Sequence, residues 1–512
     1  MSLALPKVFN IAEYFLDRRI EEGRGERIAL RTDRGELTYR DTQSLANRFA
    51  RNLRQMGIGR GERVFLSMSD SPEFVGALFG ILKVGGVVVM VNPNLKPDAL
   101  AELFGYCRPS SAVIESEMLD AFAAAAHEAE STAEFMTVDG QNRRHSAYES
   151  SREEQSDRFD TVDTSPDDAA IWLFSGGTTG RPKAVVQTHR SFANTTELYA
   201  QAALGYHEDD ITLSVPKLYF GYATGSNLFF PFSVGASAVL FSEHPTADVL
   251  FDKIARHRPT ILISVPTMIN QMVSHPKAAA QDLSCLRFST SAGEALPIPL
   301  YDRWRELYDV ELLDGLGTAE MWHIFVSNLP GDVKPGTLGR AVPGFEIKVC
   351  DESGVEVGAG EVGRLWVKGD SLASGYWDDA EKTAAAFRDG WFVGGDLVRR
   401  DDEGYLTYCG RDDDVFKVGG KWLAPQEVEN CLMNHPAVKE CAVVGIENEN
   451  GLMKPYAFVV SGQWQEDLEQ KLKDYVLARL QPYKHPRRII ILEDFPRTHL
   501  GKVDRGKLKE LV

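Results

Sequence analysis

No CxxC pair occurs in the 512 residues, and the six cysteines (Cys107, Cys285, Cys350, Cys409, Cys431 and Cys441) are scattered. That spacing suggests neither a thiolate zinc site nor a disulfide framework, and it fits a reducing, cytoplasmic setting. Positive charge is in deficit as well. The formal net charge is −18, which argues against a nucleic-acid surface. Long apolar runs are missing: the longest stretch, Phe74–Val91, is broken by Lys83, Gly85 and Gly86. It reads as a core helix running into a buried strand, not as a membrane span. The first residues, MSLALPKVFNIAEYFLDRR, lack the layout of a signal peptide. Internal repeats and low-complexity segments are not evident, and no GxxxxGK[ST] can be read. What is left, 43% hydrophobic and 25% charged, is the composition of a globular protein with room for two or more domains.

Helix and strand signals alternate along the first part of the chain. Val64–Met68, Val87–Val91, Ala169–Phe174, Ile261–Thr267 and Leu286–Gly293 read as strands. Leu45, Phe49, Leu53 and Met56 recur at helical spacing, with Asp41 or Thr42 as cap and Gly57 as stop. This is an α/β pattern with buried, largely parallel strands. After about Asp351 the texture changes to short strands with turns at Asp351–Gly354, Asp389-Gly390 and Glu403-Gly404. A charged joint, Arg411-Asp412-Asp413-Asp414, precedes a small α+β unit. There Ala437–Ile446 and Lys454–Ser461 read as strands and Glu466–Leu480 as an amphipathic helix.

Chemistry is announced by FSGGTTGRPKA (Phe174–Ala184). A strand, a glycine-rich turn and then a helix would aim backbone N–H groups at an anion. Ser175, Thr178 and Thr179 add hydroxyl donors and Lys183 a charge, while Gly176, Gly177 and Gly180 let phosphate approach the backbone. In an acidic chain a small anionic ligand needs such local positive charge, which singles out Lys183, Lys421 and Lys502.

The motif does not stand alone. SGGTTGRPKA (Ser175–Ala184), DGLGTAE (Asp314–Glu320), WFVGGDL (Trp391–Leu397), GRDDDVFKVGGKWLAPQEVE (Gly410–Glu429) and PRTHLGKVDR (Pro496–Arg505) follow in order. Together they resemble the adenylate-forming superfamily of acyl- and aryl-CoA ligases, firefly luciferase and peptide-synthetase adenylation domains, over nearly the whole chain. KLYFGY (Lys217–Tyr222) and AEMWHIF (Ala319–Phe325) resemble segments of benzoate-type CoA ligases.

The resemblance implies an α/β fold: a large N-terminal domain of parallel-rich sheets with helices plus a β-subdomain (1–410), a hinge (411–413) and a small mobile α+β C-terminal domain (414–512). It implies ATP, magnesium and coenzyme A as cofactors, with AMP and pyrophosphate as products. A carboxylate would attack the α-phosphate, and the CoA thiol would then displace AMP to give a thioester. By the same resemblance Ser175, Thr178, Thr179 and Lys183 hold the β- and γ-phosphates, and Glu320 binds the metal. Gly293, Glu294 and Ala295 pass along the adenine, with Asp314, Gly315, Leu316 and Gly317 beneath it. Asp396 accepts the ribose hydroxyls and Arg411 donates to the ribose. Lys502 reaches the α-phosphate and carboxylate during adenylation. The small domain turns about Asp413 and brings Gly419, Gly420, Lys421 and Trp422 to the site as a pantetheine tunnel. Tyr219, Phe220, Gly221, Tyr222, Ala223, Thr224 and Gly225 line the acyl pocket. Ala292, Met321, Trp322 and His323 are further candidates there, as are Thr267, Met268 and Ser291. His323 is equally readable as a satisfied core histidine.

Three hydroxyls common in the family are absent. Ser175-Gly176-Gly177 stands for Ser-Ser-Gly or Thr-Ser-Gly, Ala319 for the threonine before the metal glutamate, and Gly394-Gly395-Asp396 for Thr-Gly-Asp. Thr318 is the neighbouring hydroxyl that could take over from Ala319. The expected function is therefore acid–CoA ligation on an aromatic or bulky hydrophobic acid, with adenylation weakened or lost. The alternatives are an enzyme that only thioesterifies a supplied acyl-AMP from a separate adenylating enzyme, a ligase loading a carrier protein, and a non-catalytic acyl-adenylate-binding protein. Expected partners are the carboxylic acid or its adenylate and CoA, with no nucleic acid and no membrane insertion; homodimerisation is left open.

Overall fold

The computed structural model describes residues 3–138, 158–175, 183–412, 415–418, 421–449, 451–462, 467–497 and 503–512, the side chain of Trp422 excepted. Two large sheets carry the first part of the chain. One has nine strands, in the order Arg340–Ala341, Ile324–Ser327, Glu311–Gly317, Phe288–Ser291, Ile261–Ser264, Ile211–Ser214, Ser237–Val239, Ile28–Thr32, Gly35–Thr38. Its six central strands run parallel and both edges are antiparallel. The other has seven, in the order Gly375–Tyr376, Lys183–Thr188, Ala169–Ser175, Val87–Met90, Arg63–Ser67, Ser111–Glu115, Glu134–Val138. The five strands expected in this part of the chain lie in these sheets, except that the one expected over Ile261–Thr267 ends at Ser264, because Pro266 opens the helix Pro266–Ser274; Phe74–Val91 is the helix Pro72–Lys83 followed by the strand Val87–Met90. Among the described residues no helix is long and apolar enough to cross a membrane.

Helices Tyr39–Gln55 and Pro72–Lys83 are packed against each other by glycine. A Cβ on Gly76 would sit 2.5 Å from Leu45 Cγ, and one on Gly80 2.5 Å from Phe49 Cβ. The helical spacing of Leu45, Phe49 and Leu53 is thus spent on a close helix–helix contact; all three are buried. The cap differs from expectation. Thr38, not Asp41 or Thr42, caps the helix, and Asp41 is the reciprocal partner in a capping box. The reason is that the helix begins at Tyr39, whose side chain is buried and starts the apolar stripe earlier.

A second correction concerns the loop after Phe174. Ala169–Ser175 pairs antiparallel with Lys183–Thr188, in one register from Ile171↔Gln187 to Ser175↔Lys183 with a shift before Ile171. The expected strand–turn–helix is therefore a hairpin, and the helix starts only at His189. The run KAVVQT carries two adjacent β-branched valines and ends on threonine, so it continues the sheet.

Beyond these sheets lies a five-stranded antiparallel sheet containing Glu346–Cys350, Val362–Lys368, Trp391–Arg400, Phe387–Arg388 and Leu406–Arg411. The last part of the chain forms a three-stranded sheet. Val438–Glu447 and Met453–Ser461 pair antiparallel, and Arg488–Leu492 adds a parallel edge. Helices Pro425–Met433 and Leu468–Leu477 pack on it, and the buried residues Val428, Leu432, Val443, Val459, Leu472 and Val476 form a core of their own.

Candidate active site

The site is organised by one short loop. Strands Glu311–Gly317 and Ile324–Ser327 pair antiparallel, with Gly315 opposite Ser327 and Gly317 opposite Ile324. Glycine is required at this crossing: a Cβ on Gly317 would lie 2.5 Å from His323 O, and one on Gly315 2.9 Å from Val326 O. The connecting residues, Thr318–His323, carry the metal candidate and an acyl-wall candidate three residues apart. The loop closes on a γ-turn. Trp322 has φ 63° and ψ −50°, and His323 N donates to Met321 O at 2.8 Å. Such backbone costs about 1–3 kcal/mol and persists only where surroundings over-determine it. Here they do, since the buried Trp322 ring packs on Phe192, Phe229, Phe230 and His323.

On one side of the loop stand the phosphate and metal candidates. Glu320 is 6% exposed and accepts a hydrogen bond from the Tyr376 hydroxyl at 2.8 Å. Lys183 Nζ lies 5.3 Å from the centroid of the Tyr376 ring. Gln187, on the same strand as Lys183, donates through Nε2 to Ala319 O at 2.6 Å. Burial first and the Glu320 carboxylate second push the Tyr376 phenol well above its usual range, so it remains a donor. Arg411 is part of the same electrostatic neighbourhood. It faces Asp396 across the sheet at 4.0 Å, and Tyr408 donates to Asp396 Oδ1 at 3.4 Å.

On the other side stand the acyl candidates. Phe220 precedes a helical wall, Gly221–Val234, that contains a π-helical turn at Gly225–Phe229. His323 Nε2 donates to Tyr222 O at 3.0 Å and lies 3.1 Å from Ser226 Oγ. Burial lowers the imidazole to about 3, so it is neutral. The hydrogen bond to the carbonyl places the proton on Nε2, and Nδ1 has no partner among the described residues. The His323 edge fills the space above Gly225, where a Cβ would meet Cδ2 at 2.4 Å. Tyr222 OH pairs with Thr290 Oγ1 at 2.7 Å. Ser291 and Asp314 are register partners on adjacent parallel strands, and both are buried. Burial raises the Asp314 carboxyl far above the usual carboxylate range. Glu294 is anchored by Thr267, whose N and Oγ1 donate to its Oε2 at 3.1 and 2.7 Å. Gly293 is exposed with φ +85°, and Ala292 is buried.

Several expected site residues lie outside the described residues: Thr178, Thr179, Asp413, Gly419, Gly420 and Lys502, with the side chain of Trp422. Lys421 is exposed on the short strand Lys421–Leu423, its Nζ 5.3 Å from the Tyr483 ring. Sequence reasoning missed Tyr376, Gln187 and the strain at Trp322. The signal for Tyr376 was SGYW after a turn-rich stretch; the γ-turn left none, because the run around Trp322 reads as ordinary apolar core.

Against known proteins, the model of the AMP-binding enzyme family matches residues 16–377, and that of the AMP-binding enzyme C-terminal domain matches residues 427–502. The benzoate–CoA ligase of Thauera aromatica is 38% identical over 99% of this chain and 97% of its own. The 4-hydroxybenzoate–CoA/benzoate–CoA ligase of Rhodopseudomonas palustris is 35% identical over 98% and 94%. Among solved structures, the anthranilate CoA ligase AuaEII in complex with anthranoyl-AMP superposes with a TM-score of 0.94 at 34% identity, covering 99% of this chain and 98% of that one.

Proposed function

The chain belongs to the AMP-binding enzyme family, and on that premise we propose that it is an aryl acid–CoA ligase acting through an acyl-AMP intermediate. The observation that carries this is the loop Thr318–His323. It sets a buried carboxylate, Glu320, and an aromatic-lined acyl wall, Trp322 and His323, on one rigid turn. A benzoate-type acid against that wall would have its carboxylate beside the group that serves the triphosphate.

In the first half-reaction a carboxylate oxygen bonds to the α-phosphorus and pyrophosphate leaves. In the second, the CoA sulfur bonds to the acyl carbon, AMP leaves, and the thiol proton goes to solvent or to the departing phosphate. Two anions meet in the first step, so cationic groups must offset the repulsion. Lys183 and Lys502 are the protein's contribution. Magnesium fits the donor set: Glu320 is a hard oxygen ligand, and among the described residues no cluster of three or more ligating side chains forms a metal cage. A magnesium ion is commonly held by one or two carboxylates together with waters and substrate phosphates. When bound it would neutralise phosphate charge. Asp396 and Arg411 hold the ribose, and Gly293–Ala295 with Asp314–Gly317 hold the base. Residues 411–413 are the hinge between 1–410 and 414–512, and Gly419, Gly420, Lys421 and Trp422 form the pantetheine passage.

A second reading, thioester formation from a supplied acyl-AMP with little adenylation of its own, is favoured by Ala319. Against it stands Thr318, whose Oγ1 is buried without a partner among the described residues. That hydroxyl, one residue from Ala319, supports retention of the first half-reaction. Benzoate, hydroxybenzoates and aminobenzoates supplied with ATP and CoA, and separately their adenylates with CoA, decide between the two. Thioester from both mixtures is expected; thioester only from adenylates establishes the specialised enzyme, and none from either overturns the proposal.

A further inference from the structure

The strand Gly375–Tyr376 joins the two sides of the phosphate region, yet the motifs give it no role. We propose that Tyr376 is a positioning residue that holds Glu320 and Lys183 apart and aimed, so that metal and triphosphate are met by a preset pair of charges. This rests on the ATP and magnesium reading of the site given above.

Direct contact between a carboxylate and an ammonium would quench both as ligands. Tyr376 contacts both. Its hydroxyl donates to Glu320 Oε1 at 2.8 Å, and its ring lies 5.3 Å from Lys183 Nζ. A phenol orients the carboxylate without bringing a cation that would compete with the metal. The ring face attracts the ammonium without neutralising it. No ion pair joins Lys183 to Glu320 among the described residues.

The tyrosine is itself fixed by backbone. Gly375 and Tyr376 pair with Val186 and Val185 on the strand that Lys183 begins. Ser374 N donates to Val186 O and Trp377 N to Ala184 O, both at 2.9 Å. Ala373 N donates to the Glu320 carbonyl at 2.8 Å, and Tyr376 N to Thr383 Oγ1 at 3.0 Å. One five-residue strap thus holds the Lys183 strand and the Glu320 turn in a single register. The Tyr376 ring is wedged edge-on against Phe387 at 5.4 Å.

The test uses the full chain and its Y376F, Y376L and E320Q variants. Bound Mn2+ is measured by paramagnetic resonance in the presence of ATP, alongside the Mg2+ dependence of pyrophosphate release and the KM for the acid. Losing a hydrogen bond to a charged group predicts that Y376F weakens metal binding about tenfold or more, with the acid KM moved less than twofold. Y376L, which also removes the ring, should raise the KM for ATP further. Combining E320Q with Y376F should add little to E320Q alone. If wild type takes up no Mn2+ with ATP, or E320Q binds it as wild type does, the metal reading of Glu320 falls. If E320Q is weakened while Y376F keeps wild-type affinity, this inference alone is overturned. Equal losses in metal affinity, acid KM and melting temperature for Y376F would also overturn it, by showing a merely structural role.

Discussion

The two flanks of the loop Thr318–His323 are held in opposite ways. On the acyl side, Trp322 and His323 are 2% and 3% exposed and interlock with Phe192, Phe230, Tyr222 and Gly225. On the phosphate side Lys183 and Tyr376 are only partly buried and are placed by backbone pairing and single polar contacts. The acyl wall is therefore part of the core, and changing it should cost stability along with specificity. The phosphate side can be altered with loss of rate and little loss of fold. The contrast suits the chemistry: an apolar acid is recognised by packing, whereas a triphosphate is recognised by charge.

The sharpest way to break this contrast is Lys502→Ala. Adenylation, read as pyrophosphate release, should fall about a hundredfold to a thousandfold, while the melting temperature and thioester formation from supplied acyl-AMP stay near wild type. A large drop in thermal stability instead would erase the distinction between the flanks. Next comes Gly225→Ala, whose new methyl would meet His323 Cδ2 at 2.4 Å. Overpacking of this kind costs about 1–3 kcal/mol, so chemical denaturation should show the loss and the acid KM should rise with it. An unchanged stability would mean that the wall is softer than its packing implies.

Acid should separate the flanks too. Burial lowers His323 to about 3 and His189 to about 4. Their folded values lie below the unfolded value near 6.5, so the unfolded chain binds more protons between those limits. Stability contributed by the neutral rings is complete above about pH 6.5 and falls as pH drops toward 4 and 3. Denaturant midpoints at pH 7.5 and pH 5 should show the loss, with a smaller loss in His323→Gln. The smallest effect expected is Ala319→Thr. It restores a hydroxyl beside the phosphate and should raise the adenylation rate several-fold, well under the hundredfold that a lost donor can cost, because Thr318 already stands nearby.

Much of the fold was legible because apolar periodicity reports burial directly. Leu45, Phe49 and Leu53 fixed a helix face, and the valines of Val87–Met90 fixed a buried strand. Motifs that carry charge or glycine singled out candidates that the structure places in particular surroundings: Glu320 in the buried turn, Gly315 and Gly317 at the strand crossing, Asp396 opposite Arg411. The antiparallel pairing of Ala169–Ser175 with Lys183–Thr188 was not legible because a glycine-rich stretch of sequence reads the same before a helix or a strand. SGYW marked a strand at Tyr376 but not its contact with Glu320, which lies 56 positions away.

The order of motifs, and with it the family, was set by the sequence alone, since each motif needs its own residue types within a few positions. Which of those residues meet was decided only by tertiary structure. Sheet register brings Tyr376 beside Val185 and Ser291 beside Asp314, and the strands that cross at Gly317 leave Glu320 against Tyr376 and His323 against Tyr222 and Gly225. Such contacts depend on long-range pairing, whose geometry no local stretch of side chains encodes.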